Sequence, residues 1–315
     1  MQLRKKSSLK HMKRIVLFIS IVLLGLSCKS SKYNTPYNQF RATQKSFTSK
    51  DGVMRYVDEG KGPVMLLLHG VPTSSWLYRK MINQLVAKGY RVIAPDMLGF
   101  GNSDNPKGYE IYNEKNHAKR LLSLMDTLKI NQWSQVFHDA GGLWTWEMLR
   151  LAPSKISHLI MLNTIVYEKG FQPPVKFKKG VFAKMAMWVY KNGITTNQML
   201  KGLFKVGLKK NNLTKEELAG YKLPLLEGKT RAMYYFFTQT CRSLPDYESV
   251  ISKLDIPTMV VWGKHDEMLQ WTPQQEKLIK TLKIKSKDIY LIDAKHFIQE
   301  ELPTEVCEHI TSFLE

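Results

Sequence analysis

The stretch Trp133-Ser-Gln-Val-Phe-His-Asp-Ala-Gly-Gly-Leu143 decides how the chain is organised. It begins as an apolar run that is typical of a buried strand, and it ends in two glycines that can open a helix. Asp139 lies at the junction, where a sharp strand-to-helix turn can lift a side chain clear of the backbone. A carboxylate that simply caps a helix is the alternative interpretation, and the rest of the sequence has to decide between the two.

Strands and helices alternate along most of the chain. Apolar runs predict strands over residues 64–68, 90–94, 133–138, 159–162, 257–262 and 289–292. Helical spacing of apolar residues separates most of these runs, so we predict an α/β fold with a mostly parallel, doubly wound sheet. We assign residues 44–164 and 231–315 to this core. Residues 165–230 are basic and rich in Met and aromatic residues, and they predict an inserted helical cap.

The composition restricts the possible partners. The net charge is +20, and the excess lies mainly in residues 4–14 and 169–229. The basic residues are scattered and no nucleic-acid motif accompanies them. We therefore expect no nucleic-acid partner, but a solvated surface or attraction to anionic lipid headgroups. Cys28, Cys241 and Cys307 form no C-x-x-C pair and no metal-ligand spacing, so the sequence predicts neither a metal nor a cofactor.

The N-terminus has the pattern of an export signal. Residues 1–14 are basic, and residues 15–26 are apolar. The apolar run is too short for a bilayer, which needs ~20 residues to cross. Cys28 follows almost directly, and Met12 is an alternative start that would keep a short basic segment. An uncleaved membrane anchor and a signal peptide without lipid stay open as alternatives.

The segment from Leu24 to Cys28 resembles the lipobox of bacterial lipoproteins, although Gly25 stands where that family usually has Leu. The resemblance implies that residues 1–28 are a signal segment and that Cys28 carries lipid. It also implies a location in the bacterial cell envelope, as a periplasmic or outer-membrane lipoprotein held at the membrane. Residues 29–43 are polar and predict the tether.

Four ionisable residues lie just past the ends of predicted strands, namely His69, Asp139, Asp266 and His296. Because ligands bind at the carboxyl ends of the strands in such sheets, we expect these side chains to lie near one site. Three of them also follow one another in the order nucleophile, acid and histidine, which is the order of a known hydrolase triad. This shared placement favours a nucleophile over a helix cap at Asp139.

Four segments resemble one branch of the α/β-hydrolase superfamily, the haloalkane dehalogenases and epoxide hydrolases. They are His69-Gly-Val-Pro-Thr-Ser-Ser75, Pro95-Asp-Met-Leu-Gly-Phe-Gly-Asn-Ser-Asp104, His138-Asp-Ala-Gly-Gly142 and His296-Phe-Ile-Gln-Glu300. The resemblance covers residues 44–164 and 255–315, and it fits the cap only loosely. It implies a triad of Asp139, His296 and Asp266, with an oxyanion hole made by the backbone N–H groups of Val71 and Ala140.

A carboxylate nucleophile narrows the chemistry. Asp139 is ionised at neutral pH and needs no base for the first attack. Attack on an ester carbonyl would give a reactive anhydride, whereas attack on an sp³ carbon gives a stable alkyl ester. His296 can then activate the water that hydrolyses this ester. We therefore predict a hydrolase that opens a carbon–halogen or an epoxide C–O bond in a small apolar organic substrate.

Two positions depart from the family. Dehalogenases usually place Trp after the nucleophile, and many place Asn in the His-Gly-x-Pro loop, where both hold the leaving halide. Ala140 and Val71 stand there instead, so the leaving group stays open, and the smaller Ala140 predicts a bulkier or differently held substrate. The candidate pocket residues are His69, His138, Trp188, Tyr221 and Tyr234, with Tyr167, Tyr190 and Tyr235 as further tyrosines that could protonate an epoxide oxygen.

Two other functions stay open at this stage. The missing halide donors fit a catalytically silent, ligand-binding lipoprotein on the hydrolase fold, because a fold does not determine a function. The presence of Asp139, Asp266 and His296 together argues against this alternative. An esterase is disfavoured because neither Ser nor Cys occupies the turn at Asp139.

Overall fold

The computed structural model describes residues 35–173, 175–210 and 212–315. The predicted signal segment 1–28, its Cys28 and the first part of the tether lie outside these residues. Internal contacts divide the chain into two units, residues 1–43 and residues 44–315. In the first unit, Pro36–Thr43 forms a helix, so the second half of the predicted tether is helical rather than extended.

The described residues form one sheet of eight strands. Along the chain these are β1 (Lys45–Ser49), β2 (Gly52–Glu59), β3 (Val64–Leu68), β4 (Arg91–Pro95), β5 (Trp133–Asp139), β6 (Ile156–Thr164), β7 (Thr258–Gly263) and β8 (Ile289–Ile292). Their spatial order is β1-β2-β4-β3-β5-β6-β7-β8. The pairs β1–β2 and β2–β4 are antiparallel, and the other pairs are parallel. The predicted α/β fold with a mostly parallel sheet is confirmed.

Helices connect these strands. The α-helices are α1 (Pro36–Thr43), α2 (Arg79–Ala87), α3 (Glu114–Thr127), α4 (Gly141–Leu151), α5 (Val181–Lys191), α6 (Thr196–Gly207), α7 (Lys215–Leu226), α8 (Arg231–Tyr235), α9 (Glu248–Ile251), α10 (Gln275–Leu282), α11 (Ile298–Glu301) and α12 (Pro303–Leu314). Short 3₁₀ helices cover Ser75–Tyr78, Glu110–Tyr112, Pro153–Lys155, Glu168–Gly170 and Ser286–Asp288, and Phe236–Thr240 forms a π-helical turn. Within the described ranges, no helix combines the length and the apolar character needed to cross a membrane.

The central strands lie in the core. Every residue of β5 is buried, and so are four of the five residues of β3. Strands covered by helices on both faces read as continuous apolar runs, which is why the sequence pattern predicted them correctly. Each large apolar side chain removed from water here contributes about 1.5–3 kcal/mol to stability. This core fixes the carboxyl edge of the sheet, where the ionisable residues lie.

A helical insertion separates β6 from β7, and we call residues 165–257 the inserted region. It contains α5 to α9 and the π-helical turn. The helices therefore continue beyond residue 230, where we expected the cap to end. Helix α7 is attached to the core, because the indole N–H of Trp76 donates to the Glu217 carbonyl over 3.0 Å and Arg79 donates to the Glu217 side chain over 2.9 Å.

Candidate active site

Asp139 stands in a strained backbone conformation at the end of β5. Its φ of 52° is in the left-handed region, which non-glycine residues rarely adopt and which recurs at functional sites. Helix α4 begins two residues later and passes close to the neighbouring strands. A Cβ added to Gly141 would lie 2.7 Å from the Leu68 carbonyl, and one added to Gly142 would lie 2.3 Å from Oγ1 of Thr164. The two glycines are therefore required by the tight turn that presents Asp139.

The Asp139 carboxylate is held by backbone N–H groups. The N–H of Val71 donates to Oδ1 over 2.7 Å, and the N–H of Ala140 also bonds to this carboxylate. The loop after β3 approaches so closely that a Cβ on Gly70 would lie 2.2 Å from Oδ1. The structure thus brings together the two N–H groups that the resemblance assigned to an oxyanion hole.

His296 and Asp266 lie beside Asp139, in the loops after β8 and β7. The Nδ1–H of His296 donates to Oδ2 of Asp266 over 2.8 Å. The other ring nitrogen, Nε2, lies 3.8 Å from Oδ2 of Asp139. This distance is longer than a hydrogen bond. Oδ2 of Asp139, which faces the histidine, is thus the oxygen that the Val71 N–H does not hold.

The Asp266 carboxylate accepts four hydrogen bonds. Besides His296, the Asn163 amide donates to Oδ2 over 2.6 Å, and the N–H groups of Met268 and Leu269 donate to Oδ1 over 2.9 and 3.0 Å. Asn163, the second-last residue of β6, has a φ of 36°, and its own Oδ1 accepts from the Gly263 N–H over 2.9 Å. The amide of Asn163 therefore ties the ends of two neighbouring strands to the orientation of His296.

Burial and charge act against each other at this pair. Burial raises the pKa of Asp139 above its ordinary value, while His296 and the N–H groups of Val71 and Ala140 lower it less. Burial lowers the pKa of His296, but the carboxylates of Asp266 and Asp139 more than offset it, so the pKa is raised overall. Both shifts favour the protonated form, which is the neutral acid at Asp139 and the charged imidazolium at His296.

His138 lies behind the catalytic candidate rather than in a pocket. Its Nε2 lies 3.0 Å from the backbone carbonyl of His296, and the two rings are 4.5 Å apart. Burial, followed by the nearby His296, holds the pKa of His138 well below its usual value. A neutral His138 can therefore donate to that carbonyl and fix the loop that carries His296.

A small cavity of about 50 Å³ opens beside Asp139 and His296. Most of its lining is apolar, and these residues are Val71, Pro72, Phe171, Pro173, Leu203, Phe236, Phe237, Met268, Leu269 and Phe297. Tyr190 on α5 supplies the remaining polar group of this lining. Burial raises the pKa of Tyr190, so its hydroxyl keeps its proton at neutral pH. A narrow apolar cavity with one hydroxyl, one carboxylate and one imidazole suits a small apolar substrate.

None of the five predicted pocket residues lines this cavity. His69 is buried, with Nε2 accepting from the Met97 N–H over 3.0 Å, and burial lowers its pKa to about 4. Trp188 is 54% exposed on the outside of α5. Tyr221 is buried and donates to Glu300, and Tyr234 packs on Tyr109 with ring centroids 4.3 Å apart. His138 was described above.

The pocket assignment failed because helical residues point to different sides according to their register, which spacing alone did not resolve. Trp188 and Tyr190 are two positions apart on α5, and only Tyr190 lines the cavity. The expected bulkier substrate also finds no support. Ala140 is fully buried and does not line the cavity, whose space is limited by Phe171, Phe236 and Phe237.

Sequence reasoning also missed the roles of Asn163 and Gly70. The signal for Asn163 was its position as a polar residue at the end of a buried strand, between the strands that lead to Asp139 and Asp266. The signal for Gly70 was the need for close backbone approach beside a nucleophile. Among the described residues, no group of three His, Cys, Asp or Glu side chains could hold a metal ion.

Comparison with known proteins gives related sequences along most of the chain. The chain is 30% identical to haloalkane dehalogenase 1 of Mycobacterium tuberculosis over 262 residues, which is 80% of this chain and 83% of the relative. It is 26% identical to a cis-3-alkyl-4-alkyloxetan-2-one decarboxylase of Shewanella oneidensis over 294 residues, 86% and 88% of the two chains. It is 33% identical to an epoxide hydrolase of Caballeronia sordidicola over 121 residues, 38% and 37% of the two chains.

Solved structures share the fold. A haloalkane dehalogenase from Bradyrhizobium elkani superposes with a TM-score of 0.62 at 21% identity, covering 86% of this chain and 97% of that one. The sequence pattern of the α/β-hydrolase fold matches residues 63–303. The chain therefore belongs to the α/β-hydrolase fold family, and haloalkane dehalogenases and an epoxide hydrolase are among its relatives.

Proposed function

We propose that the protein hydrolyses a small apolar substrate by displacement at an sp³ carbon, with Asp139 as the nucleophile. The observation that carries this proposal is the asymmetry of the Asp139 carboxylate. Oδ1 is fixed by the N–H of Val71 over 2.7 Å, whereas Oδ2 faces His296 at 3.8 Å beside an apolar cavity. One oxygen is thus anchored, and the other is free to attack.

In the first step, Oδ2 of Asp139 attacks the substrate carbon and forms an alkyl ester while the leaving group departs. The nucleophile needs no base, because a carboxylate ionises by itself at neutral pH, and the N–H groups of Val71 and Ala140 favour its charged form against burial. The anchored Oδ1 keeps the carboxylate plane fixed, so that Oδ2 meets the carbon in one orientation. Such positioning lowers the entropic part of the barrier.

In the second step, Nε2 of neutral His296 takes a proton from water, and the hydroxide formed attacks the carboxyl carbon of Asp139. Negative charge then develops on Oδ1, which already accepts from the Val71 N–H, and the Ala140 N–H bonds to the same carboxylate. Each such donor typically contributes ~3 kcal/mol to stabilisation of the transition state. Asp266 stabilises the imidazolium through its 2.8 Å hydrogen bond. When the ester C–O bond breaks, the imidazolium returns its proton to the departing alkoxide, so the alcohol leaves and the Asp139 carboxylate and neutral His296 are regenerated.

The leaving group is the finer part of the proposal, and we propose an oxygen, as in a strained epoxide. No indole or amide side chain lines the described cavity, so the usual donors for a halide are missing. Tyr190 lines the same cavity as Asp139, and its hydroxyl can protonate a departing oxygen. The epoxide hydrolase among the relatives agrees with this choice.

A halide is the second candidate, because a dehalogenase matches 80% of the chain at 30% identity. A four-membered oxetan-2-one is related chemistry, since the name of the Shewanella relative specifies such a strained ring. All three substrates share a carbon that a carboxylate can attack while a C–O or C–halogen bond breaks. They differ in whether the departing atom needs a proton.

Trapping the ester tests the proposal. We expect His296→Gln to form the ester but not to hydrolyse it, so that the intact protein gains mass on Asp139 when it is incubated with a terminal epoxide, a bromoalkane or a β-lactone. An epoxide adds its whole mass, whereas a bromoalkane adds only its alkyl group, so the mass increment identifies the leaving group. The double variant His296→Gln/Asp139→Asn is the matched control and should stay unmodified. Absence of any adduct across the panel would contradict the proposal and favour a binding protein.

The location stays a prediction. Lipid attachment at Cys28 and residence in the bacterial cell envelope rest on the sequence pattern of residues 1–28. Labelling of growing cells with a fatty acid analogue would measure the lipid attachment. We expect label on the native chain and none on Cys28→Ala.

A further inference from the structure

Helix α5 exposes a row of large apolar side chains. Val181 is 75% exposed, Phe182 81% and Trp188 54%, and Ile194, just after the helix, is 81% exposed. Met185 lies between them and is half exposed. On a helix, positions 181, 182, 185 and 188 occupy one side. An exposed, contiguous apolar surface of this kind usually marks an interaction site.

The opposite side of α5 faces the protein. Ala183 and Met187 are buried, and Tyr190 lines the cavity beside Asp139. The exposed side chains are therefore not the side of the helix that packs on the core, because Ala183 and Met187 already form that side. The helix has two apolar sides, of which only one is covered within the described residues.

Lysines flank the exposed side. Lys178, Lys179, Lys184 and Lys191 are all exposed, and Lys184 and Lys191 also line a cleft with Trp188. From residue 169 to residue 215 the sequence contains eleven lysines and neither Asp nor Glu. From outside this run, the exposed Glu110 side chain lies 3.5 Å from Lys179. We call the apolar row and these four lysines the cap surface.

We propose that the cap surface docks on an anionic lipid bilayer, with its apolar row inserted at the headgroup boundary. A helix with Trp and Phe on one side and lysines beside it is the usual form of an interfacial helix. Trp is the side chain that favours the membrane–water boundary. The lysines are attracted by the negative potential of the lipid surface, and this charge complementarity is the reason for choosing an anionic bilayer as the partner.

A second copy of the chain would also cover an apolar surface, but the charges oppose it. Two cap surfaces facing each other would bring at least eight lysines together and repel. Of the four lysines in each cap surface, only Lys179 has a carboxylate partner among the described residues. A bilayer with anionic headgroups removes this repulsion. This contact is separate from the predicted N-terminal signal, which lies in residues 1–28.

Docking would also place the cavity near lipid. Because Tyr190 and Trp188 lie on the same helix, the contact brings the lining of the cavity close to the apolar phase in which an apolar substrate dissolves. This consequence rests on the proposed function, whereas the docking itself does not depend on Asp139.

Trp188 provides a built-in probe for the test. The chain has seven tryptophans, and the other six are at most 8% exposed. The full-length protein is mixed with vesicles of phosphatidylcholine alone, or with about a third phosphatidylglycerol, each with brominated acyl chains. We expect a blue-shifted and quenched emission on the anionic vesicles only, and loss of this signal in Trp188→Phe.

Two triple variants separate the cap surface from general charge. In the first, Lys178, Lys184 and Lys191 are changed to Gln. We expect the affinity for anionic vesicles, measured by titrating the quenching of Trp188, to fall about fivefold per lysine, or roughly a hundredfold together. The control changes Lys253, Lys285 and Lys287, which precede β7 and β8 at the opposite edge of the sheet, and it should quench like the native chain.

Three results would overturn the proposal. One is a protein that sediments with vesicles while Trp188 stays unquenched, because the signal segment alone would then make the contact. Another is equal quenching on neutral and anionic vesicles. The third is a blue shift that rises with protein concentration in the absence of lipid, accompanied by dimers in sedimentation velocity. In all cases the trapped ester on Asp139 is measured separately, so that failure of docking and failure of the proposed chemistry are distinguishable.

Discussion

At the carboxyl edge of the sheet, the carboxylates of Asp139 and Asp266 are held by hydrogen bonds from within the chain, whereas helix α5 leaves large apolar side chains exposed. In the first region, hydrogen bonds fix one oxygen of Asp139, both oxygens of Asp266 and the ring of His296. The second region, the inserted region, is attached to the core at a few points, and its helix α5 is apolar on both sides. We infer that the two regions have different roles. The sheet edge carries the reacting groups, and the inserted region carries the contacts with the substrate and with the membrane.

The largest expected effect tests this division at Tyr190, a residue of the inserted region to which the proposed function assigns a part in the reaction. We expect Tyr190→Phe to slow the opening of an epoxide by about a hundredfold or more, since the departing oxygen loses its proton donor. Opening of a bromoalkane should change little, because a halide leaves without a proton. The rates are measured as formation of the ester in single-turnover mass spectrometry.

Tyr234→Phe is the matched control for this prediction. Tyr234 also lies in the inserted region, but it packs on Tyr109 and does not line the cavity. Its loss should leave both rates within a few-fold of the native ones. Equal losses for the two variants would mean that Tyr190 only packs, and the leaving group would then have to be reconsidered.

The second prediction sharpens the account of the sheet edge. Asn163→Ala removes the 2.6 Å hydrogen bond to Asp266 and the bond to the Gly263 N–H. A hydrogen bond to a charged group contributes about 1.5–3 kcal/mol, and if this is lost in the second transition state the ester is hydrolysed about ten- to a hundredfold more slowly. The ester should accumulate during turnover while its formation stays fast. A merely destabilised protein would instead lose both steps in proportion.

The sheet edge was largely predictable from the sequence, whereas in the inserted region the helical character was predicted but the side on which individual residues lie was not. Buried parallel strands are continuous apolar runs, so the positions of Asp139, Asp266 and His296 after strand ends were visible in the sequence. The placement of Trp188 and Tyr190 depends on the register and tilt of one helix, which helical spacing does not fix when both sides of the helix are apolar. Asn163 was overlooked because it acts through Asp266.

The third prediction concerns pH. His296 must be neutral to take a proton from water, and its pKa is raised above the ordinary value because Asp266 and Asp139 outweigh burial. In the ester, Asp139 has lost its charge, so the pKa of His296 is lower there than in the free enzyme. Hydrolysis of the ester should therefore fall about tenfold per pH unit below this pKa, and rise to a plateau above it.

Asp266→Asn tests the cause of this shift. Without that carboxylate, burial dominates and the pKa of His296 falls. The acid limb of ester hydrolysis, followed by stopped-flow at a series of pH values, should move to lower pH while the plateau rate also drops. A limb that stays in place would mean that another group controls the profile.

The smallest expected effects are on stability. The same change, Gly to Ala, compares the packing beside the sheet edge with the packing in the inserted region. At Gly142 in α4 a Cβ would lie 2.3 Å from Oγ1 of Thr164 and 2.7 Å from the Ile165 carbonyl, so the backbone must shift, and we expect a loss of about 1–3 kcal/mol in unfolding free energy. At Gly202 in α6 a Cβ would meet nothing within 4 Å, and Ala should stabilise the helix by about 0.5–1 kcal/mol. Thermal unfolding should therefore move in opposite directions, by a few degrees each. If both variants shifted the same way, the close approach of α4 to β6 would not be what requires glycine beside Asp139.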